Sequence, residues 1–242
     1  RYWQQDLPLP KQYAASERPH HPFIDDYART VDYDPHFAGP ADVKRAIAWV
    51  RANIAEYGGD PDFVAITGGS AGGHLSALAA LTPGEPQYQP GFEDADTSVV
   101  AAVPLYGRYD WFTSEGPGRR EFIAFLQKFV VKKRFADNRQ VYLDASPITR
   151  IRADAPPFFV LHGTDDSLIP VIEGREFVEA LRGVSTSPVA YAEMPHAQHA
   201  FDFYGSPRAH YTAEAVERFL SWVQAKRQRD PVTSEPAPSL SR

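Results

Sequence analysis

Residues 63–81 read Phe63-Val64-Ala65-Ile66-Thr67-Gly68-Gly69-Ser70-Ala71-Gly72-Gly73-His74-Leu75-Ser76-Ala77-Leu78-Ala79-Ala80-Leu81. Phe63–Thr67 has the character of a short apolar strand. Ala71–Leu81, rich in Ala and Leu, is a helix expected to be buried on several sides. At their junction Gly68-Gly69-Ser70-Ala71-Gly72 matches G-x-S-x-G. A strand, a sharp turn and a helix are what a nucleophile elbow requires, with the serine strained so that its hydroxyl stands off the sheet. Glycine is expected at 68 and 72 because strand and helix pass too closely for a Cβ. The helix N-terminus favours negative charge, and the Ala71 N–H is the natural donor to an oxyanion. A phosphate-binding turn is the competing reading, but G-x-G-x-x-G is not formed and no Lys-Ser/Thr pair follows.

Outward from the elbow the chain alternates helix and strand. Val43, Ile47, Val50, Ile54 and Tyr57 recur at helical spacing, and Gly58-Gly59-Asp60-Pro61 ends that helix. Val99–Leu105, Phe158–His162 and Val189–Met194 are continuous apolar runs, as suits strands buried on both faces of a parallel sheet. Between and after them lie predicted helices. Glu121–Val131 carries Phe122, Phe125, Leu126 and Phe129 on one side, and Glu173–Leu181 turns Phe177 and Leu181 inward. Pro207–Arg227 turns Val216, Phe219, Leu220 and Val223 inward. The pattern predicts an α/β fold with a mostly parallel, doubly wound sheet. Residues 41–227 form the expected domain, 1–40 an irregular Pro- and His-rich segment, and 228–242 a disordered tail.

Composition narrows the chemistry. The 242 residues include no cysteine, which excludes disulfides, zinc–thiolate sites and a thiol nucleophile. A net charge of −6 argues against a general nucleic-acid partner. There is no run of apolar residues long enough for a transmembrane helix and no signal peptide, so a domain of the cytoplasm or the cell envelope is expected. His20, His21, Asp25, Asp26, Asp32, Asp34 and His36 show no metal-ligand spacing and read as a solvated loop, and Lys132-Lys133-Arg134 as a solvated helix end. No metal is expected.

A serine nucleophile needs a base, and the base an orienting carboxylate. Asp165 and Asp166 follow one apolar strand; His196 and His199 follow the last one. The order serine, acid, histidine is that of the α/β-hydrolases. Position along the chain does not choose within either pair.

The sequence resembles the hormone-sensitive-lipase-like branch of the α/β-hydrolases, close to the Lip-type carboxylesterases of actinobacteria. The likeness rests on Asp42-Val43-Lys44-Arg45-Ala46 with Trp49-Val50-Arg51, Tyr57-Gly58-Gly59-Asp60-Pro61, Gly69-Ser70-Ala71-Gly72-Gly73-His74-Leu75, Ala145-Ser146-Pro147, His162-Gly163-Thr164-Asp165-Asp166 with Ile169-Pro170, and His199-Ala200-Phe201. It spans about residues 41–225. It implies that Asp166, last in His-Gly-x-x-Asp, is the acid and that His199 of His-Ala-Phe is the base. His196 would then lie beside the site, His74 would be a packing histidine, and His162 would hold the turn presenting Asp166. The implied activity is cofactor-free hydrolysis of short- to medium-chain acyl esters through an acyl-enzyme on Ser70. The alternatives are a weak or inactive module of the same fold and a prolyl-oligopeptidase-like serine peptidase. Tyr106, Trp111 and Phe112 are the expected substrate contacts, in a stretch (about 107–150) that reads equally as a cap-like insertion or as ordinary core. The family's early His-Gly-Gly loop has no counterpart, since the only His-Gly pair is His162-Gly163. With Arg1 in place of an initiator Met, this predicts an N-terminally truncated or mis-started form lacking the family's first strands.

Overall fold

A computed structural model describes residues 39–116, 118–203 and 205–229. The expected irregular segment up to residue 38, the His and Asp group within it, and the tail from 230 lie outside the described residues. Four parallel strands form one sheet: β1 (Ala65–Gly69), β2 (Ala101–Leu105), β3 (Phe158–Gly163) and β4 (Val189–Met194), side by side in sequence order. Among the described residues six α-helices accompany them: α1 (Pro40–Asn53), α2 (Ala71–Leu81), α3 (Arg119–Phe125), α4 (Arg139–Asp144), α5 (Ile172–Val184) and α6 (Pro207–Arg229).

Helices α1, α2 and α5 pack on one face of the sheet. Ile47 of α1, Ala77 and Leu81 of α2, and Phe177, Val178 and Leu181 of α5 pack there against Ala102, Phe158 and Val160. Alternate residues of the same strands point the other way: Val103, Leu105, Phe159 and Leu161 meet Val216, Phe219 and Leu220 of α6. Helices thus cover both faces, and β2 and β3 are buried along their whole length.

Local chemistry sets the boundaries. Pro40 stands in the first turn of α1, and the Asp42 carboxylate accepts the Gly39 N–H at 2.7 Å. The last predicted turn of this helix is instead a 3₁₀ turn, Ile54–Tyr57, closed by left-handed Gly58 at φ 80°. Tightening rotates Tyr57 outward, so it is 56% exposed rather than inward-facing. β1 begins two residues later than the apolar run and continues through Gly68 and Gly69 to the serine itself. α6 ends at Arg229, two residues into the expected tail.

The predicted Phe helix is α3 followed by a π turn, Leu126–Val130. The Val131 N–H donates to the Leu126 carbonyl at 2.7 Å, so both residues of this i, i+5 pair are buried. The wider turn leaves Phe129 about half exposed, as is Phe125 at the end of α3, 48% each.

Register levels the strand ends. Gly69 pairs with Leu105, Leu105 with Leu161, and Gly163 with Met194. The segments beginning at Ser70, Tyr106, Thr164 and Pro195 therefore leave the sheet side by side at its C-terminal edge, where α/β sheets build their sites.

Candidate active site

Ser70 leaves β1 with φ 59° and ψ −117°, a left-handed backbone that costs a residue with a Cβ about 1–3 kcal/mol. Two backbone bonds hold it: its N–H donates to Leu105 O at 3.0 Å, and its carbonyl accepts the His74 N–H at 3.0 Å. The close approach that permits this turn needs glycine at two places. A Cβ on Gly68 would lie 2.6 Å from the Gly72 carbonyl oxygen, and one on Gly73 would collide with the Leu105 carbonyl oxygen. The expectation for Gly72 is corrected: its backbone lies against Gly68, but a Cβ there would point into open space with nothing within 4 Å, and it is Gly73 whose Cβ would meet β2.

The Ser70 hydroxyl lies 2.8 Å from His199 Nε2, and His199 Nδ1 lies 2.8 Å from Asp166 Oδ2. The carboxylate can only accept, so Nδ1 carries the proton, and Nε2 is left to accept from the serine. Asp166 Oδ1 in turn accepts the Leu168 and Ile169 N–H groups at 2.9 and 2.8 Å. Burial pushes the Asp166 pKa up, but hydrogen bonds from His162, the Ile169 backbone and His199 outweigh it and hold the group below the usual carboxylate range. His162 is fully buried; its Nε2–H donates to the Ile169 carbonyl at 2.8 Å and stands 3.5 Å from Asp166 Oδ2.

The other members of the two pairs also find each other. Exposed His196 Nδ1 is 3.3 Å from Asp165 Oδ2, and the His196 N–H donates to Thr164 Oγ1 at 2.9 Å. Gln198 Oε1 accepts from the Ser167 N–H and hydroxyl at 3.2 and 3.0 Å. These bonds stitch the Asp166 and His199 loops together along their outer side.

A serine at a strained strand–helix turn after β1, a buried carboxylate after β3 and a histidine after β4 are thus joined at one edge of the sheet. The BD-FAE family model matches residues 27–181. The chain belongs to the BD-FAE family. It shares the α/β-hydrolase fold. The probable carboxylic ester hydrolase LipM of Mycobacterium tuberculosis is 60% identical over 200 residues, covering 83% of this chain and 46% of that protein. Esterase LipQ of the same organism is 52% identical, over 77% of this chain and 44% of LipQ. The chain spans about half the length of the curated relatives it matches. Among solved structures, Est2 of Thermogutta terrifontis, a thermophilic esterase also solved with butyrate bound, superposes with a TM-score of 0.61 at 28% identity, covering 76% of this chain and 63% of that one.

In this BD-FAE member the remaining predicted residues are placed as follows. Ala71 is the first residue of α2, so its N–H has no acceptor within the helix. Tyr106 is buried behind the imidazole, its ring centroid 4.7 Å from that of His199, and its hydroxyl donates to Asp202. Trp111 is half-buried and stacks on His74 at 4.2 Å. His74 Nε2–H donates to the Ala145 carbonyl at 2.6 Å, and burial lowers its pKa to about 4, so it stays neutral. Phe112 packs against the cluster of Leu126, Val131 and Tyr142.

Sequence reasoning missed a buried ionic network beside the site. Glu173 accepts from Arg108 at 3.0 Å and from Arg119 at 3.1 Å. Arg119 also pairs with Asp110 at 2.9 Å and with Glu176. The network joins the segment after β2 to the start of α5. A signal was present: Glu173 lies four and eight residues before Phe177 and Leu181, on the stripe already read as inward.

Proposed function

We propose that this chain is a serine carboxylester hydrolase working through an acyl-enzyme. Ser70 Oγ attacks the ester carbonyl carbon while His199 Nε2 takes the hydroxyl proton. Asp166 keeps Nδ1 protonated and stabilises the resulting imidazolium. The Ala71 N–H receives the charge on the carbonyl oxygen. The tetrahedral species collapses, the alcohol leaves with the proton from Nε2, and the acyl group remains on Ser70. Water then attacks the acyl carbon with His199 again as base, and the carboxylic acid is released. The hydrogen-bond chain from Ser70 through His199 to Asp166 carries this reading.

The acyl group is short to medium in length. In support, the Thermogutta esterase, 28% identical, binds butyrate at a fold superposable on this one. The test is turnover of p-nitrophenyl butyrate by this chain and by Ser70→Ala. The substitution is expected to lower kcat by roughly 10³-fold or more with the fold unchanged. Equal, background-level rates in both proteins overturn the proposal in favour of a non-catalytic module. Cleavage of a proline-containing peptide amide without ester cleavage moves it to a peptidase.

A further inference from the structure

The two residues that follow β2 and the catalytic loop meet in a way the reaction scheme does not use. Tyr106 is 4% exposed and has φ 36°, outside the range comfortable for a side-chain-bearing residue. Its main chain is anchored at the strand end that also holds the nucleophile. The Tyr106 N–H donates to Leu161 O at 2.7 Å, and the preceding Leu105 carbonyl accepts the Ser70 N–H. Its ring meets His199 edge to face at 63° and Phe201 at 5.3 Å. Its hydroxyl donates to Asp202 Oδ1, three residues beyond His199 on the same turn.

That turn carries positive φ at His196 and Ala200, 52° and 59°. The Ala197 N–H to Met194 O bond at 3.2 Å closes it before His199, and the Phe203 N–H to Ala200 O bond at 3.0 Å closes it after. Room for the phenol is made by Gly69, the variable residue before the serine in the motif, where a Cβ would collide with the Tyr106 hydroxyl. Burial, reinforced by Asp202, keeps the phenol protonated and hence a donor.

We propose that Tyr106 is a positioning residue for His199 rather than a substrate contact: its ring sets the plane of the imidazole, and its bond to Asp202 ties the histidine turn to the end of β2. The proposal rests on the serine-hydrolase reading for its effect on rate, but not for the geometry itself. Imidazole placement enters the attack of Ser70 and not the binding of the ester. Loss of the tether therefore lowers kcat and spares KM.

The test compares Tyr106→Phe, Asp202→Ala, Asp202→Asn and the double variant Tyr106→Phe/Asp202→Ala, each checked for native thermal unfolding. Tyr106→Phe and Asp202→Ala are each expected to lower kcat on p-nitrophenyl butyrate about tenfold with KM within about twofold, a loss of the size sub-ångström misplacement produces. The double variant falls no further than either single one, because both break one bond. Asp202→Asn, which keeps an acceptor oxygen, stays within about threefold of the native rate. In parallel, the proton NMR signal of His199 Nδ1–H in its bond to Asp166 broadens in the Phe and Ala variants and persists in the Asn variant. A raised KM with unchanged kcat, additive losses in the double variant, or a sharp Nδ1–H signal in all variants overturns the proposal. Absence of ester turnover by the native chain sinks the hydrolase reading alone, since the NMR signal still decides whether the tether orders the imidazole.

Discussion

Gly72 and Gly73 are neighbours in the first turn of α2, yet only the second lies against the Leu105 carbonyl. Gly73→Ala is expected to destabilise the protein by about 1–3 kcal/mol in urea unfolding, because strand and helix must separate. Gly72→Ala is expected to fall within about 1 kcal/mol of the native protein, since its Cβ projects into open space. The motif's letters make the two look alike; only the direction of each Cα separates them. The same limit applies to the paired candidates for acid and base. Asp165 and Asp166 are adjacent, and His196 and His199 lie three residues apart on one loop after β4, so spacing could not say which pair faces inward. The choice follows from backbone bonds: Asp166 Oδ1 is held by the N–H groups of Leu168 and Ile169, while the Asp165–His196 pair is left on the surface.

At the scale of elements, apolar runs and periodicity located the four strands and most helices of the described residues but misjudged where a turn tightens or widens. The 3₁₀ turn after α1 and the π turn after α3 each change the angle per residue, and so turn out Tyr57 and Phe129. A regular helical count has no means of registering either. Arg108, Arg119 and Glu173 went unread for a related reason: they pair only once the segment after β2, α3 and α5 are brought together. Their network is expected to be worth much when broken. Glu173→Ala leaves two buried guanidinium groups without their shared carboxylate and should cost about 3–5 kcal/mol, read by chemical denaturation. Glu176→Ala, whose carboxylate is 47% exposed, should cost under about 1 kcal/mol.

Across the whole molecule, Lys44 links α1 to the loop after α2. Its side chain is fully buried, and its ammonium donates to the Thr82 carbonyl, to Gln89 Oε1 at 3.0 Å and to Thr97 Oγ1 at 3.3 Å. Burial lowers its pKa from 10.5 to about 8, against an opposing pull from Glu85. Above the folded value the unfolded chain binds the extra proton, so stability rises with pH in this window. Between pH 8 and 9.5 the gain is about 2 kcal/mol in urea unfolding, and Lys44→Met should lack it.

The levelled strand ends carry a consequence for when chemistry becomes possible during folding. Ser70 and His199 are 129 residues apart, and the carboxylate between them belongs to a third loop. A chain on which β4 has not yet docked has no base for its serine, however complete its elbow. On the proposed mechanism the reactive centre is thus a logical AND over three separate crossovers, and a chain with β4 undocked does not react. The time at which Ser70 first reacts with an organophosphonate during refolding is therefore a clock for closure of the sheet.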